Sequence, residues 1–222
     1  MKVVIIGGGP AGLAAGGALK QKGIPNTLLE QGDKVGTSWQ GHYDRLHLHT
    51  IRRLSGLPGY PIPDEMGKWV ARDDLVRYLE EYAKRFELDI RLGTNVLCVE
   101  RSDGRWRVKT EEGDHTADRV VMATGYNRTP VIPDWPGKDE FEGELIHSAQ
   151  YRNATGYKGK RVLVAGSGNS GAEIAADLAS CGAKEVLLAV RPHPHLPPRR
   201  FLVLAPPPVP VPPAFPSPRE RP

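Results

Sequence analysis

Two glycine triplets carry the clearest chemistry in this chain. "GGGPAG" places Gly7, Gly9 and Gly12 in the spacing G-x-G-x-x-G, and "GSGNSG" repeats it at Gly166, Gly168 and Gly171. In that spacing the first glycine permits a tight turn and the second lets the main chain approach a pyrophosphate. The third lets a helix pack close to the preceding strand, and the phosphates rest on the helix's positive end. The spacing alone is a weak signal, so its flanks matter. The first triplet follows the apolar run "KVVIIG", opens the small-residue helix "AGLAAGGALKQKG", and is followed by a second strand, "NTLLE", ending at Glu30. A carboxylate at that point accepts hydrogen bonds from a ribose diol. The second triplet lies between "KRVLVAG" and "EVLLAVR", where Val190 and Arg191 stand in place of the acid. A guanidinium there offers a charge-assisted fork to a ribose 2′-phosphate. The expectation is an unphosphorylated ribose at the first loop and NADP at the second. The plain alternatives are a structural glycine turn and, for Arg191, a solvated strand end.

Other chemistry-bearing residues carry less. His47 and His49 alternate along "LHLHT", but no third ligand is evident and no metal site is expected. His193 and His195 carry little signal. Trp39, Tyr43 and Trp69 read as packing residues. Cys98 and Cys181 form no CxxC pair, which argues against a dithiol reductase and suits a reducing, cytoplasmic location.

The elements that must position the loops read as two βαβ units about 150 residues apart. Residues 33–70 are loop-rich. "ARDDLVRYLEEYAKRFEL" is the strongest helix, with Leu75, Tyr78, Leu79, Tyr82, Ala83 and Phe86 at helical spacing and Asp73 as its expected N-cap. "NVLCVER", "WRVKT" and "HTADRVVMATG" read as an antiparallel meander returning to a buried strand. The predicted organisation is an α/β, Rossmann-like nucleotide-binding domain with a meander over residues 1–140, and a connecting segment over 141–158. A partial second domain follows over 159–191, with a proline-rich tail over 192–222. That tail holds 13 of the 21 prolines and no Gly, Lys or Asp, so polyproline II or disorder is expected there.

The chain has 222 residues, 39% of them hydrophobic, and a formal charge of +4. Most of that charge lies in residues 192–222, so no basic face points to nucleic acid. No apolar run is long enough for a membrane span.

Between the units lies "FEGELIHSAQY", residues 141–151, with neither helical nor strand periodicity. Its Phe141, Gly143, His147 and Tyr151 match F-x-G-x-x-x-H-x-x-x-[YW], which resembles the signature of class B flavin monooxygenases. Two dinucleotide fingerprints with a meander between them are similar to the two-dinucleotide-binding-domain flavoproteins. "GTSWQGHYDRLHLHT", "RVVMATGYN" and "GNSG" resemble the family's flavin-side loop, ATG strand and NADP loop, and "YDRLHLHT", "YLEEYAKRFEL", "WRVKT" and "GNSGAE" most nearly resemble its plant YUCCA-type branch and that branch's bacterial relatives. The resemblance covers roughly residues 1–202.

The resemblance implies FAD at Gly7, Gly9, Gly12, Glu30 and Trp39, with Gly125 nearby, and NADPH at Gly166, Gly168, Ser170, Gly171 and Arg191. It implies insertion of one oxygen from O2 into a small organic substrate through a hydroperoxyflavin, with no side chain standing out as an acid–base catalyst. A flavin-dependent NAD(P)H reductase or oxidase, and a non-catalytic fragment whose proline tail docks to an SH3- or WW-like partner, are the competing readings. In the family the chain returns after the nicotinamide domain to complete the FAD domain. The change of composition near residue 203 therefore raises the expectation of a truncated or frameshifted copy, which the downstream DNA read in the other frames would test.

Overall fold

The computed structural model describes residues 1–126 and 129–190. Arg191, His193, His195 and the proline-rich tail lie outside the described residues.

The first unit is built on a four-stranded parallel sheet. β1 (Val3–Ile6) pairs on one side with β2 (Asn26–Leu29) and on the other with β7 (Arg119–Met122), and β2 pairs in turn with the two-residue β3 (Ile90–Arg91). β1 is four β-branched residues, all buried, as a central parallel strand covered on both faces requires. Its alternation divides two cores. Val3 and Ile5 face Leu13 of α1 (Pro10–Gln21) and Leu75, Tyr78, Leu79 and Tyr82 of α3 (Arg72–Arg85). Val4 and Ile6 face Val108 and Ala117 of an antiparallel sheet, β4 (Val96–Ser102), β5 (Arg105–Thr110) and β6 (Gly113–Ala117). The unit is thus three layers: helices, parallel sheet, meander.

Two local expectations are corrected, the cap of α3 and the burial of β7. The α3 helix begins at Arg72 with Ala71 in the cap position, not Asp73. The Asp73 carboxylate accepts from Arg72 Nε at 2.8 Å, and with Asp74 it supplies negative charge to the positive first turn. "HTADRVVMATG" is two strands, β6 and β7, broken at Asp118, whose carboxylate accepts from the Lys2 main chain. β7 is an edge strand and only partly buried, with Met122 exposed.

The second unit is one βαβ: β8 (Arg161–Ala165), α4 (Asn169–Ser180) and β9 (Glu185–Ala189), with the strands parallel. One face of this two-stranded sheet is covered by α4, and Leu163 and Leu187 are exposed.

Candidate functional site

The two glycine loops have the same construction. Gly7 has φ +111° and Gly166 φ +103°, a region open to glycine but strained for other residues. Gly7 N–H donates to the last carbonyl of β2 at 2.8 Å, and Gly166 N–H donates to the last carbonyl of β9 at 2.8 Å. A Cβ on Gly12 would sit 1.9 Å from the Gly7 carbonyl oxygen, and one on Gly171 would sit 2.0 Å from that of Gly166. The middle glycines differ from these. Gly9 and Gly168 are the N-cap residues of α1 and α4, in extended backbone, and a Cβ on either would meet nothing within 4 Å. Each helix runs 12 residues, with no acidic residue in its first turn. Open main chain before the positive end of such a helix fits a pyrophosphate.

Around the first loop, Glu30 is buried, its Oε2 accepting from Gly8 N–H at 2.6 Å and its Oε1 from Gly32 N–H at 2.8 Å. A carboxylate offers about four acceptor positions, so capacity remains for ribose hydroxyls. The strand registers pair Ile6 with Leu29 and Ala165 with Ala189, so Val190 stands in the second unit where Glu30 stands in the first. Trp39, on the short helix α2 (Thr37–Gln40), packs against both the first core and the seam between the units. Gly125, at φ +82°, follows β7, whose continuation brings the Ala123 carbonyl beneath Gly7. Arg191 lies outside the described residues. Gly7, Gly9, Gly12 and Glu30 gather at the first loop, and Gly166, Gly168, Ser170 and Gly171 at the second, while Trp39 lies at the seam.

The signature segment serves the junction between them. Phe141 is exposed, and its ring occupies the space beside Gly143. His147 caps the short 3-10 turn Ser148–Gln150: its Nδ1 accepts from Ala149 N–H at 3.1 Å, while its main-chain N–H donates to Gln150 Oε1 at 2.9 Å. That turn delivers Tyr151 into a small core with Tyr43, Leu46, Ala154, Ile174 and Leu178. The Tyr151 hydroxyl donates to Asp177 Oδ2 at 2.6 Å.

Sequence reasoning missed the rest of this seam. Tyr43, taken as a packing residue, is indeed buried, but its hydroxyl also donates to Glu173 Oε2 at 3.0 Å. His49 Nε2 faces Glu173 Oε1 at 3.1 Å, and Arg45 faces Asp177 Oδ1 at 3.5 Å. Asp44 ties the 42–46 loop to α3 and to the connecting segment, accepting from Asn153 Nδ2 at 2.8 Å and Arg72 Nη1 at 2.9 Å. Those bonds hold its carboxyl below the usual range. Burial, then the charges of Arg152 and Arg72, lowers the His42 imidazole. The available signal was Asp177 itself, an acid within the apolar stretch "EIAADLAS".

Burial, then the facing carboxylate, pushes the Tyr43 and Tyr151 hydroxyls well above the ordinary tyrosine value; burial first also raises Tyr78 and Tyr82. The folded state therefore keeps protons that the unfolded chain releases above about pH 10. Their stabilisation is complete below that pH and is lost as pH rises further, at ~1.4 kcal/mol per pH unit for each such tyrosine. Chemical denaturation should give a midpoint steady from pH 7 to 9 and falling beyond 10, with tyrosinate absorbance rising as the chain unfolds. A midpoint that stays level past that pH contradicts the burial described.

A family model described as pyridine nucleotide-disulphide oxidoreductase matches residues 4–196. The chain belongs to that family. Its relatives include an indole-3-pyruvate monooxygenase of Oryza sativa subsp. japonica, 39% identical over 206 residues, covering 91% of this chain and 50% of the relative. A flavin-containing monooxygenase from Stenotrophomonas maltophilia superposes with a TM-score of 0.81 at 32% identity, over 87% of this chain and 58% of that one. A structure described as OTEMO in complex with FAD and NADP has a TM-score of 0.67 at 26% identity, over 84% of this chain and 38% of that one. The chain spans about half the length of the curated relatives it matches. The resemblance to flavin monooxygenases and the Rossmann-like α/β class are borne out. Among the described residues no helix is long and apolar enough to cross a membrane.

Proposed function

We propose that this protein acts as a flavin-dependent monooxygenase, with FAD on the Gly7–Gly9–Gly12 loop and NADPH on the Gly166–Gly168–Gly171 loop. The observation that carries the reading is the paired loop geometry: two open N-cap glycines, Gly9 and Gly168, each before a helix lacking acid in its first turn. The kinship with flavin monooxygenases selects the reaction class. The division of labour is residues 1–140 for FAD, 141–158 as connector, and 159–191 for NADPH.

When bound, the two cofactors supply hydride and oxygen chemistry. The chain's own contribution is binding and orientation. α1 and α4 present main-chain N–H groups to phosphates, Glu30 holds the Gly8 and Gly32 amides and accepts from ribose, and Trp39, packed on the first core, lies on the flavin side. Val190 in place of an acid removes the repulsion a ribose 2′-phosphate would meet, and Arg191 supplies the fork for it. A small organic substrate fits the class, and indole-3-pyruvate, named for the rice relative, is the first compound to try.

Oxygen uptake with peroxide detection tests the reaction class. With a competent substrate, NADPH oxidation should accompany an oxygenated product with little peroxide. Stoichiometric peroxide with every substrate would make the protein an NADPH oxidase instead. The two cysteines form no CxxC pair of the kind a dithiol reductase uses. Cys98 on β4 and Cys181 at the end of α4 are both free and exposed, on different units.

A further inference from the structure

We propose that Tyr43, from the first unit, and Tyr151, from the connecting segment, are positioning residues that clasp α4 and so aim the second glycine loop; the inference rests on the two-cofactor reading above. Glu173 and Asp177 are four positions apart on α4 and therefore share one face of it. That face is turned toward the first unit and the connecting segment, and each of the four carboxylate oxygens has a partner. Glu173 takes Tyr43 and His49, and Asp177 takes Tyr151 and Arg45, with Cys181 Sγ at 3.8 Å. The Asp177 side chain is only 9% exposed.

Burying acids against tyrosines is a poor way to gain stability, because desolvation offsets most of the attraction. An apolar seam would hold the units together as well, but it would let them slide. Hydroxyl–carboxylate bonds at 2.6 and 3.0 Å, set one helical turn apart, fix both the tilt and the register of α4. The lever is long enough to matter. About 12 Å separate Asp177 from the start of α4, so a tilt of ~20° carries its glycine loop by ~4 Å. Hydride donor and acceptor must come within about 3.5 Å, so such a tilt is enough to prevent transfer.

The test measures unit orientation without any cofactor. In the full chain carrying Cys181→Ser and Lys184→Cys, spin labels on native Cys98 and on position 184 report one site in each unit. The parent should give a narrow distance distribution. Adding Tyr43→Phe and Tyr151→Phe should widen it or shift its mean by several ångströms, and Tyr43→Phe alone should widen it partly. Circular dichroism checks that each variant is folded. If the double variant unfolds, the single variant decides, because the Glu173 side chain it leaves behind is 26% exposed and reaches water. A distribution unchanged from the parent in a folded variant overturns the clasp.

Two readouts on the FAD-loaded chain separate positioning from general weakening. FAD affinity should stay within about twofold while reduction by NADPH slows by roughly tenfold or more, since small misplacements cost that much. Equal loss of both would make the tyrosines merely structural. If the parent binds no FAD, the proposed function fails and the label distances still decide the clasp.

Discussion

Gly12→Ala is expected to destabilise the chain by about 3 kcal/mol and to leave it unable to retain FAD. The added Cβ would lie 1.9 Å from the Gly7 carbonyl oxygen and 3.0 Å from its carbon, roughly half and three quarters of an ordinary contact distance. Both atoms are main chain, held by the Gly7 N–H bond to β2 and by Ala123 packed against Gly7. No rotamer change relieves the clash, so α1 must move off β1. Overpacking costs about 1–3 kcal/mol, and a rigid neighbour puts this case at the upper end. For a chain of this size that corresponds to a melting temperature lower by ~6–12 °C. The displaced helix also withdraws its N–H groups from the phosphate position, so FAD affinity should fall at least a hundredfold by fluorescence titration. A variant that melts and binds like the parent would show that the loop is not the rigid turn described.

Gly9→Ala should separate fold from function more cleanly. Gly9 has φ −81° and ψ −175°, an ordinary conformation for alanine, and its Cβ would meet nothing within 4 Å. The apo chain should therefore lose no more than about 1 kcal/mol, the usual cost of alanine at an N-cap. FAD should nonetheless be lost, with affinity down at least a hundredfold, because the methyl group occupies the line along which a pyrophosphate approaches the main chain. Retained FAD binding would make the triplet a structural turn and nothing more. The same reasoning carries to Gly168→Ala, which should spare FAD and abolish NADPH use.

The contrast explains how much of this protein was legible in its sequence. Gly7, Gly9 and Gly12 announced their unit because glycine is demanded by main-chain geometry within a few residues, and Gly166, Gly168 and Gly171 repeat that demand. The face of α3 was readable from Leu75, Tyr78, Leu79 and Tyr82, since burial follows helical period. The start of α3 was not, because Arg72 draws Asp73 into an ion pair that competes with capping. β3 escaped because two residues carry no pattern; its pairing with Leu28 and Leu29 defines it. The seam escaped for a deeper reason. Tyr43 and Glu173 lie 130 positions apart, and nothing local in "HYDRLH" says that its tyrosine will meet a carboxylate on another unit's helix. Tyr151 was flagged through the signature spacing, but its partner Asp177 emerged only once α4 was placed.

The central claim is that two glycine loops of one design hold two different cofactors in one working orientation. Anaerobic addition of NADPH to the FAD-loaded, desalted chain tests it most directly. The bound flavin's visible absorption should bleach on adding NADPH, much faster than on adding NADH, and Gly168→Ala should keep the flavin but block the bleaching. A chain that retains no flavin after loading, or a bound flavin that NADPH leaves oxidised, would contradict it.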